Sequence, residues 1–235
     1  MKKISSIAVL IFSGIHLMFA QMTYHSAYEI KQAIDFFNYN KAHTNRPFVT
    51  LTEAEIKGSP FFHEEFTEGS VFTTSKTQFV SVPLRYNIFN DQIEFRSTDG
   101  QAYEIGVPEV IEKVEFGEYQ MEYLPYLSSK KLKRGFFNIL EKGRASLYSK
   151  QRVIFEEAKN PGAYQDAQPA RFVSRPDEYY IKVGMEAAKP VYKSKDLAEV
   201  FPDHQKEIIA FIKKNKLRHN NPDNLKELVQ FYNSL

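Results

Sequence analysis

The spacing of apolar positions changes along this chain, and each change marks an element. Ser26 followed by Glu29 has the form of a capping box, and Ala27, Ile30, Ile34 and Phe37 then recur at helical spacing. The pattern predicts a helix over residues 27–39. Pro47, Gly58, Pro60 and Gly69 then punctuate short apolar pieces, which predicts loops with at most one edge strand. From residue 70 the period becomes two.

The stretch PLRYNIFNDQIEFRSTDGQAYEI, residues 83–105, shows that period most clearly. Leu84, Tyr86 and Ile88 alternate with more polar neighbours, and Ile93 and Phe95 do the same beyond Asn90-Asp91. Two registers fit. A two-residue loop sets Tyr86 against Phe95, and a four-residue loop sets Arg85 directly against Glu94. Both leave one apolar face. For the next turn, a three-residue loop of Thr98, Asp99 and Gly100 pairs Phe95 with Tyr103, with Gly100 in the left-handed position of a G1 bulge.

Gly117-Glu118 predicts a type II′ turn pairing Val114 with Met121 and Phe116 with Tyr119. A loop of Glu141, Lys142 and Gly143 pairs Phe137 with Leu147 and Ile139 with Ala145, and that strand continues through residues 152–155. Residues 70–156 thus read as an antiparallel meander. KNPGAYQDAQPARF, residues 159–172, reads as loop, and DEYYIKV, residues 177–183, as one more strand.

The last forty residues return to helical spacing. Ser194 caps a short helix through Val200, Pro202 opens a second with Ile208, Phe211 and Ile212 on one face, and Asn221-Pro222 opens a third. Leu225, Leu228, Val229 and Tyr232 form the third helix's apolar stripe. The fold class expected is α+β. A twisted antiparallel meander, open or curled toward a half-barrel, is covered by one amino-terminal helix and a carboxyl-terminal helical segment.

The chain's start and its totals add location. Lys2 and Lys3 precede the run IAVLIF and end at HLMFA, the layout of a secretory signal peptide over residues 1–20. Ser5, Ser6, Ser13, Gly14 and His16 interrupt it too often for a membrane-spanning helix, so no transmembrane segment is expected after cleavage. Residues 21–235 are then read as a single exported α+β domain, periplasmic or secreted, mainly β over 70–185 and helical over 194–235. The chain has no cysteine, which excludes disulfides, thiolate metal sites and a cysteine nucleophile. Loss of the leader removes two lysines and brings the formal charge from +2 to zero, so no global field favours nucleic acid. Lys130, Lys131, Lys133 and Arg134 form a local basic run of the kind usually solvated in a loop.

The segments GSPFFHEEF, LRYNIFNDQIEF, YYIK and FPDHQKEIIAFIKKNKL, in this order, resemble an uncharacterised family of secreted proteins from Bacteroidota. The resemblance runs through most of residues 21–235. It implies export and a single structural unit, and it transfers no catalytic residue.

Familiar chemistry finds little foothold. His25, His43, His63, His204 and His219 sit in no metal or catalytic motif; His63-Glu64-Glu65 lacks the second histidine of HExxH. His204 and Glu207 offer two metal ligands where zinc needs three or four. Gly69-Ser70 and Gly58-Ser59 lack the second glycine of a nucleophile elbow, and neither nucleotide-binding glycine motif is present. No catalytic residue, metal or cofactor is therefore assigned. Tyr119, Tyr123, Tyr126, Tyr179 and Tyr180 could line a groove or pack a sheet.

The residues selected for ligand binding are Arg85, Asn87, Glu94 and Tyr179. The preferred expectation is an exported, non-enzymatic binding or envelope-associated protein, its ligand a peptide, glycan, apolar molecule or envelope protein. Two alternatives stand beside it. One is a periplasmic hydrolase of envelope polymers using carboxylates or a metal, with His63, Glu64, Glu65 or His204. The other is an accessory component of a surface assembly, which predicts an exposed apolar patch or open sheet edge.

Overall fold

A computed structural model of the chain describes residues 56–157 and 168–235, and the backbone alone of residues 23–25. The leader and the helix expected over residues 27–39 lie outside the described residues.

The body is a mostly antiparallel sheet curled into a half-barrel. Its strands are β1 (Thr23–His25), β2 (Thr67–Thr73), β3 (Thr77–Asn87), β4 (Gln92–Arg96), β5 (Ala102–Glu104), β6 (Ile111–Phe116), β7 (Tyr119–Ser128), β8 (Lys131–Glu141), β9 (Ala145–Glu156), β10 (Arg171–Val183) and β11 (Lys189–Pro190). Their order in space is β11-β10-β9-β8-β7-β6-β2-β3-β4-β5, with β1 lying parallel to β3.

Residues 70–156 are not one continuous meander, because β2 pairs with both β3 and β6. Two meanders share that seam, and the chain passes between them through residues 105–110. Turn chemistry sets neighbour pairing, but it carries no information about which distant strand takes the remaining edge.

Local registers follow the turn residues. Arg85 lies opposite Glu94 and Leu84 opposite Phe95, the four-residue-loop register. Phe95 pairs with Tyr103, Gly100 has φ +82°, and the Gly100 N–H donates to the Ser97 carbonyl at 2.9 Å. Val114 meets Met121 and Phe116 meets Tyr119.

The β8–β9 turn departs from expectation. Ile139 pairs with Tyr148, not Ala145, and a bulge follows before Glu141 pairs with Leu147. The cause lies at the far end of the chain. Asn233 accepts from the Ala145 N–H at 2.7 Å and donates to the Ala145 carbonyl at 2.9 Å. A side chain at Gly143 would meet the Asn233 amide at 2.2 Å, so this glycine makes room for a helix and does not set a turn. Asn233→Ala is expected to cost about 2 kcal/mol in urea unfolding, the scale of leaving partly buried backbone groups unpaired. An unchanged urea midpoint would rule out that role for the side chain.

β10 begins at Arg171, six residues before the predicted strand start at 177, and Arg171 and Phe172 fall in the predicted loop. Pro176 and Asp177 fall at the register shift between Arg175 and Glu178, where a missing N–H breaks no ladder.

Three helices follow, α1 (Asp196–Glu199), α2 (Gln205–Asn215) and α3 (Pro222–Asn233). Ser194 does not cap α1. The Asp196 carboxylate accepts from the N–H groups of Tyr192 and Lys193 and closes that turn. Pro202 does not open α2 either, because His204 precedes it in the left-handed region at φ +55°. The start of α3 is as expected: Asn221 accepts from the Asn224 N–H at 3.0 Å, and Pro222 follows.

Leu225, Leu228, Val229 and Tyr232 are fully buried against Ala145, Leu147 and Ile181 of the sheet. A twelve-residue helix is marginal alone in water, and each such side chain contributes about 1.5–3 kcal/mol on burial. Packing, more than propensity, therefore holds α3 in place.

The last five strands come full circle. Ala188, just before β11, pairs in parallel with Tyr126 of β7. The Leu127 N–H donates to the Ala188 carbonyl, and the Ala188 N–H to the Pro125 carbonyl, both at 2.9 Å. Leu124, Tyr126, Phe137, Tyr148, Tyr180 and Ala188 form one buried cluster along this ring. Within it Tyr126, Phe137 and Tyr180 meet edge to face at 4.9–5.5 Å, the geometry that ring quadrupoles favour.

Below Asn138 and Ser149 the pairing of β8 with β9 stops, and the β3–β4 turn enters the fork. Asp91, at φ +56°, accepts from the Phe136 N–H at 3.2 Å and the Tyr86 hydroxyl at 2.7 Å. Its other oxygen accepts from Lys150 Nζ at 2.8 Å, which also donates to the Phe136 carbonyl at 3.0 Å. Two side chains thus take over both backbone groups of Phe136 where the ladder opens. Burial pulls the Lys150 ammonium below its ordinary pKa, and Asp91 opposes that shift.

Candidate functional site

A strap formed by residues 56–66 crosses from the start of β10 to the end of β3. The Lys57 N–H donates to the Ala170 carbonyl at 3.0 Å, and the Phe172 N–H to the Lys57 carbonyl at 2.8 Å. At the other end the Ile88 N–H donates to the Pro60 carbonyl at 2.8 Å and the Phe62 N–H to the Tyr86 carbonyl at 3.2 Å. Between strap and sheet lies a half-open cleft of about 640 Å³, lined by Pro60, Phe61, Glu64, Arg85, Asn87, Phe89, Glu94 and Phe172 among others.

Alternation explains which side chains reach this cleft. Leu84, Tyr86, Ile93 and Phe95 occupy the core face of β3 and β4, so Arg85, Asn87 and Glu94 must point to the opposite face. Among the described residues it is the strap that covers them, and no helix does. The Arg85 guanidinium lies 3.7 Å from the Phe61 ring centroid and 4.4 Å from that of Phe66. Its Nε and Nη2 donate to Glu94 at 2.8 and 2.6 Å, and Nη1 donates to the Glu64 carbonyl at 3.1 Å.

Asn87 donates to the other Glu94 oxygen at 3.2 Å and accepts from the Asn90 N–H at 3.0 Å. Glu94 is 8% exposed and Asn87 6%. The three side chains therefore spend most of their hydrogen-bonding capacity on one another and on the strap. Across the next strand pair, Glu104 faces Glu94, and partial burial followed by that like charge raises its carboxyl pKa.

The open side of the cleft is aromatic. Phe89, in the β3–β4 turn, is 48% exposed and stands 5.3 Å from Phe172, which itself stands 5.3 Å from Phe155. Phe61 and Phe172 reach the cleft from strap and β10, so residues about a hundred positions apart share its wall. Sequence reading selected neither, because nothing local announces that the strap crosses the sheet. Phe89 carried a weak signal as an apolar residue inside a polar turn.

Tyr179 lies elsewhere. It packs against the helical core, and burial, then Asp177, raises its hydroxyl pKa. Tyr126 and Tyr180 fill the ring of β7–β11, Tyr123 carries Arg134 over its face at 5.3 Å, and Tyr119 packs on Phe62 at 4.6 Å. The tyrosines do not converge on one groove.

His63 is exposed beside Phe62, and His204 stands 6.4 Å from the Tyr232 ring. The neighbouring Asp203 accepts from the Tyr232 hydroxyl and from Arg144, which hold its carboxyl pKa low. Among the described residues no group of three or more histidine, aspartate or glutamate side chains could hold a metal. No helix among them is long and apolar enough to cross a membrane. No family model, curated protein or solved structure matches the chain.

Proposed function

We propose that the chain is an exported binding protein without catalysis of its own, and that the strap cleft receives an aromatic or apolar group of a peptide-like ligand. The observation that carries this reading is the mutual pairing of Arg85, Asn87 and Glu94 within the cleft. Glu94 accepts from Arg85 and Asn87 together, and no side chain of that trio is left poised to transfer a proton. Phe89 and Phe172 supply an open apolar wall beside them. A mostly preformed cleft with a few oriented polar groups is the ordinary form of a small-ligand site. The signal-like leader and the resemblance to secreted proteins support export.

The hydrolase reading keeps one observation, that Glu64 and Glu94 line the same cleft. N-acetylated aromatic dipeptides titrated into the labelled protein, followed by amide NMR shifts, separate the two. Shifts are expected at Phe61, Phe89 and Phe172, and Phe89→Ala is expected to weaken binding about tenfold, the scale of one aromatic contact. Shifts confined to other surfaces would overturn the cleft assignment. Turnover of a peptide or glycan polymer that disappears in Glu64→Gln would establish the hydrolase instead.

A further inference from the structure

The β7–β8 hairpin carries a charge that its surroundings do not neutralise. Lys130, Lys131, Lys133 and Arg134 fall within five consecutive positions, and all four are exposed. Among the described residues none of them has an ion-pair partner, although eleven such pairs occur elsewhere, Lys142–Glu122 and Arg152–Glu178 among them. Arg134 alone is held, over the Tyr123 ring.

The carrier is rigid. Ser128 pairs with Lys131, and the intervening Ser129 and Lys130 have φ +49° and +64°, the two-residue turn whose twist matches its strands. The basic run is therefore an ordered strand end, where sequence reading expected a solvated loop. Leu127 and Leu132 sit opposite each other on one face just behind the turn, and Leu132 is 67% exposed. Leu132 shares its face with Arg134, while Lys131 and Lys133 point to the opposite one, so the hairpin end is basic on both sides of an exposed leucine.

We propose that the end of this hairpin enters an anionic lipid surface edge-on, with Lys130 at the turn, Lys131 and Lys133 on one side and Arg134 on the other against headgroup phosphates, and Leu132 at the acyl boundary. Charge alone would suit any polyanion. The leucine favours a bilayer, because hydrated nucleic acid or glycan offers it no apolar phase, whereas a lipid interface rewards cations and apolar surface together. The hairpin and the strap cleft share no residue, so docking is independent of what the cleft binds.

Flotation of the whole protein with mixed phosphatidylcholine and phosphatidylglycerol vesicles tests the proposal, with pure phosphatidylcholine vesicles and soluble polyphosphate as competitors. Binding is expected to the mixed vesicles alone and to fall as salt rises. Lys131→Ala with Lys133→Ala is expected to weaken it about thirtyfold, since each cation near such a surface is worth about a factor of five. Leu132→Ser is expected to weaken it about fivefold. All of these positions are exposed, and unchanged melting of the variants verifies their fold. Equal binding to neutral vesicles, or no response to removing the lysines, overturns the proposal. Polyphosphate binding that matches the vesicles and ignores Leu132→Ser overturns it in favour of a soluble polyanion.

Discussion

Asp91→Ala is expected to lower stability by about 3–5 kcal/mol, a large part of the 5–15 kcal/mol typical of a folded domain. The loss has three parts. Lys150, whose side chain is 13% exposed, is left against the Phe137 and Tyr126 rings without the carboxylate that offsets its burial. The Phe136 N–H loses its acceptor at the point where β8 has already left β9, and the Tyr86 hydroxyl loses the partner that makes its burial tolerable.

Asp91 itself keeps 26% exposure, so some water can reach the fork, and the low end of that range is the better expectation. For a chain of this size the melting temperature should fall by about 10 °C. Asp91→Ala combined with Lys150→Met should recover part of the loss, because removing both charges leaves no buried ion unpaired. A single variant that melts within a degree of the parent would show that the fork holds without this pair.

Gly69→Ala is the second large effect expected. Gly69 lies inside β2, between β3 and β6, where it pairs with Val82 and with Phe116. A Cβ there would come within 2.1 Å of the Glu115 carbonyl oxygen, 2.7 Å of Phe116 Cβ and 2.9 Å of Leu84 Cδ1. Two of those neighbours cannot swing aside, because one is backbone and the other is fixed to it. The seam between the two meanders must open, at a cost of about 3 kcal/mol. Gly100→Ala provides the contrast. Nothing lies within 4 Å of its added methyl, and only its φ of +82° resists, for about 1 kcal/mol. Urea unfolding should rank Gly69→Ala well below Gly100→Ala in stability, and the reverse order would contradict the seam as described.

These positions show what could be read from the sequence. Gly100 and its pairing of Phe95 with Tyr103 were legible because turn residues act over four or five positions. The Arg85–Glu94 pair was legible as one of two registers, and the alternation that sends both residues away from the core was common to both. Gly69 looked like loop punctuation, since a glycine kept for close approach and a glycine kept for a turn look alike in one dimension. Asp91 looks like half of a turn pair, yet two of its three partners lie forty-five and fifty-nine residues away. The strap cleft was hidden for the same reason. Three of its lining residues were selected, and the Phe61 and Phe172 walls that complete it come from segments whose crossing no local period encodes.

The return of Ala188 to β7 bears on how the molecule meets its own copies. An open sheet ends in two rows of unpaired amides and carbonyls, either of which can template another chain. Here one terminal strand, β11, is two residues long, and Ala188 just before it is already spent on β7, so that strand itself offers little to extend. The opposite terminus, β5, is three residues long and ends in Glu104, too short and too charged to seed growth. Among the described residues the two terminal strands thus present two and three positions to a second copy, a poor template for edge-to-edge growth of the sheet.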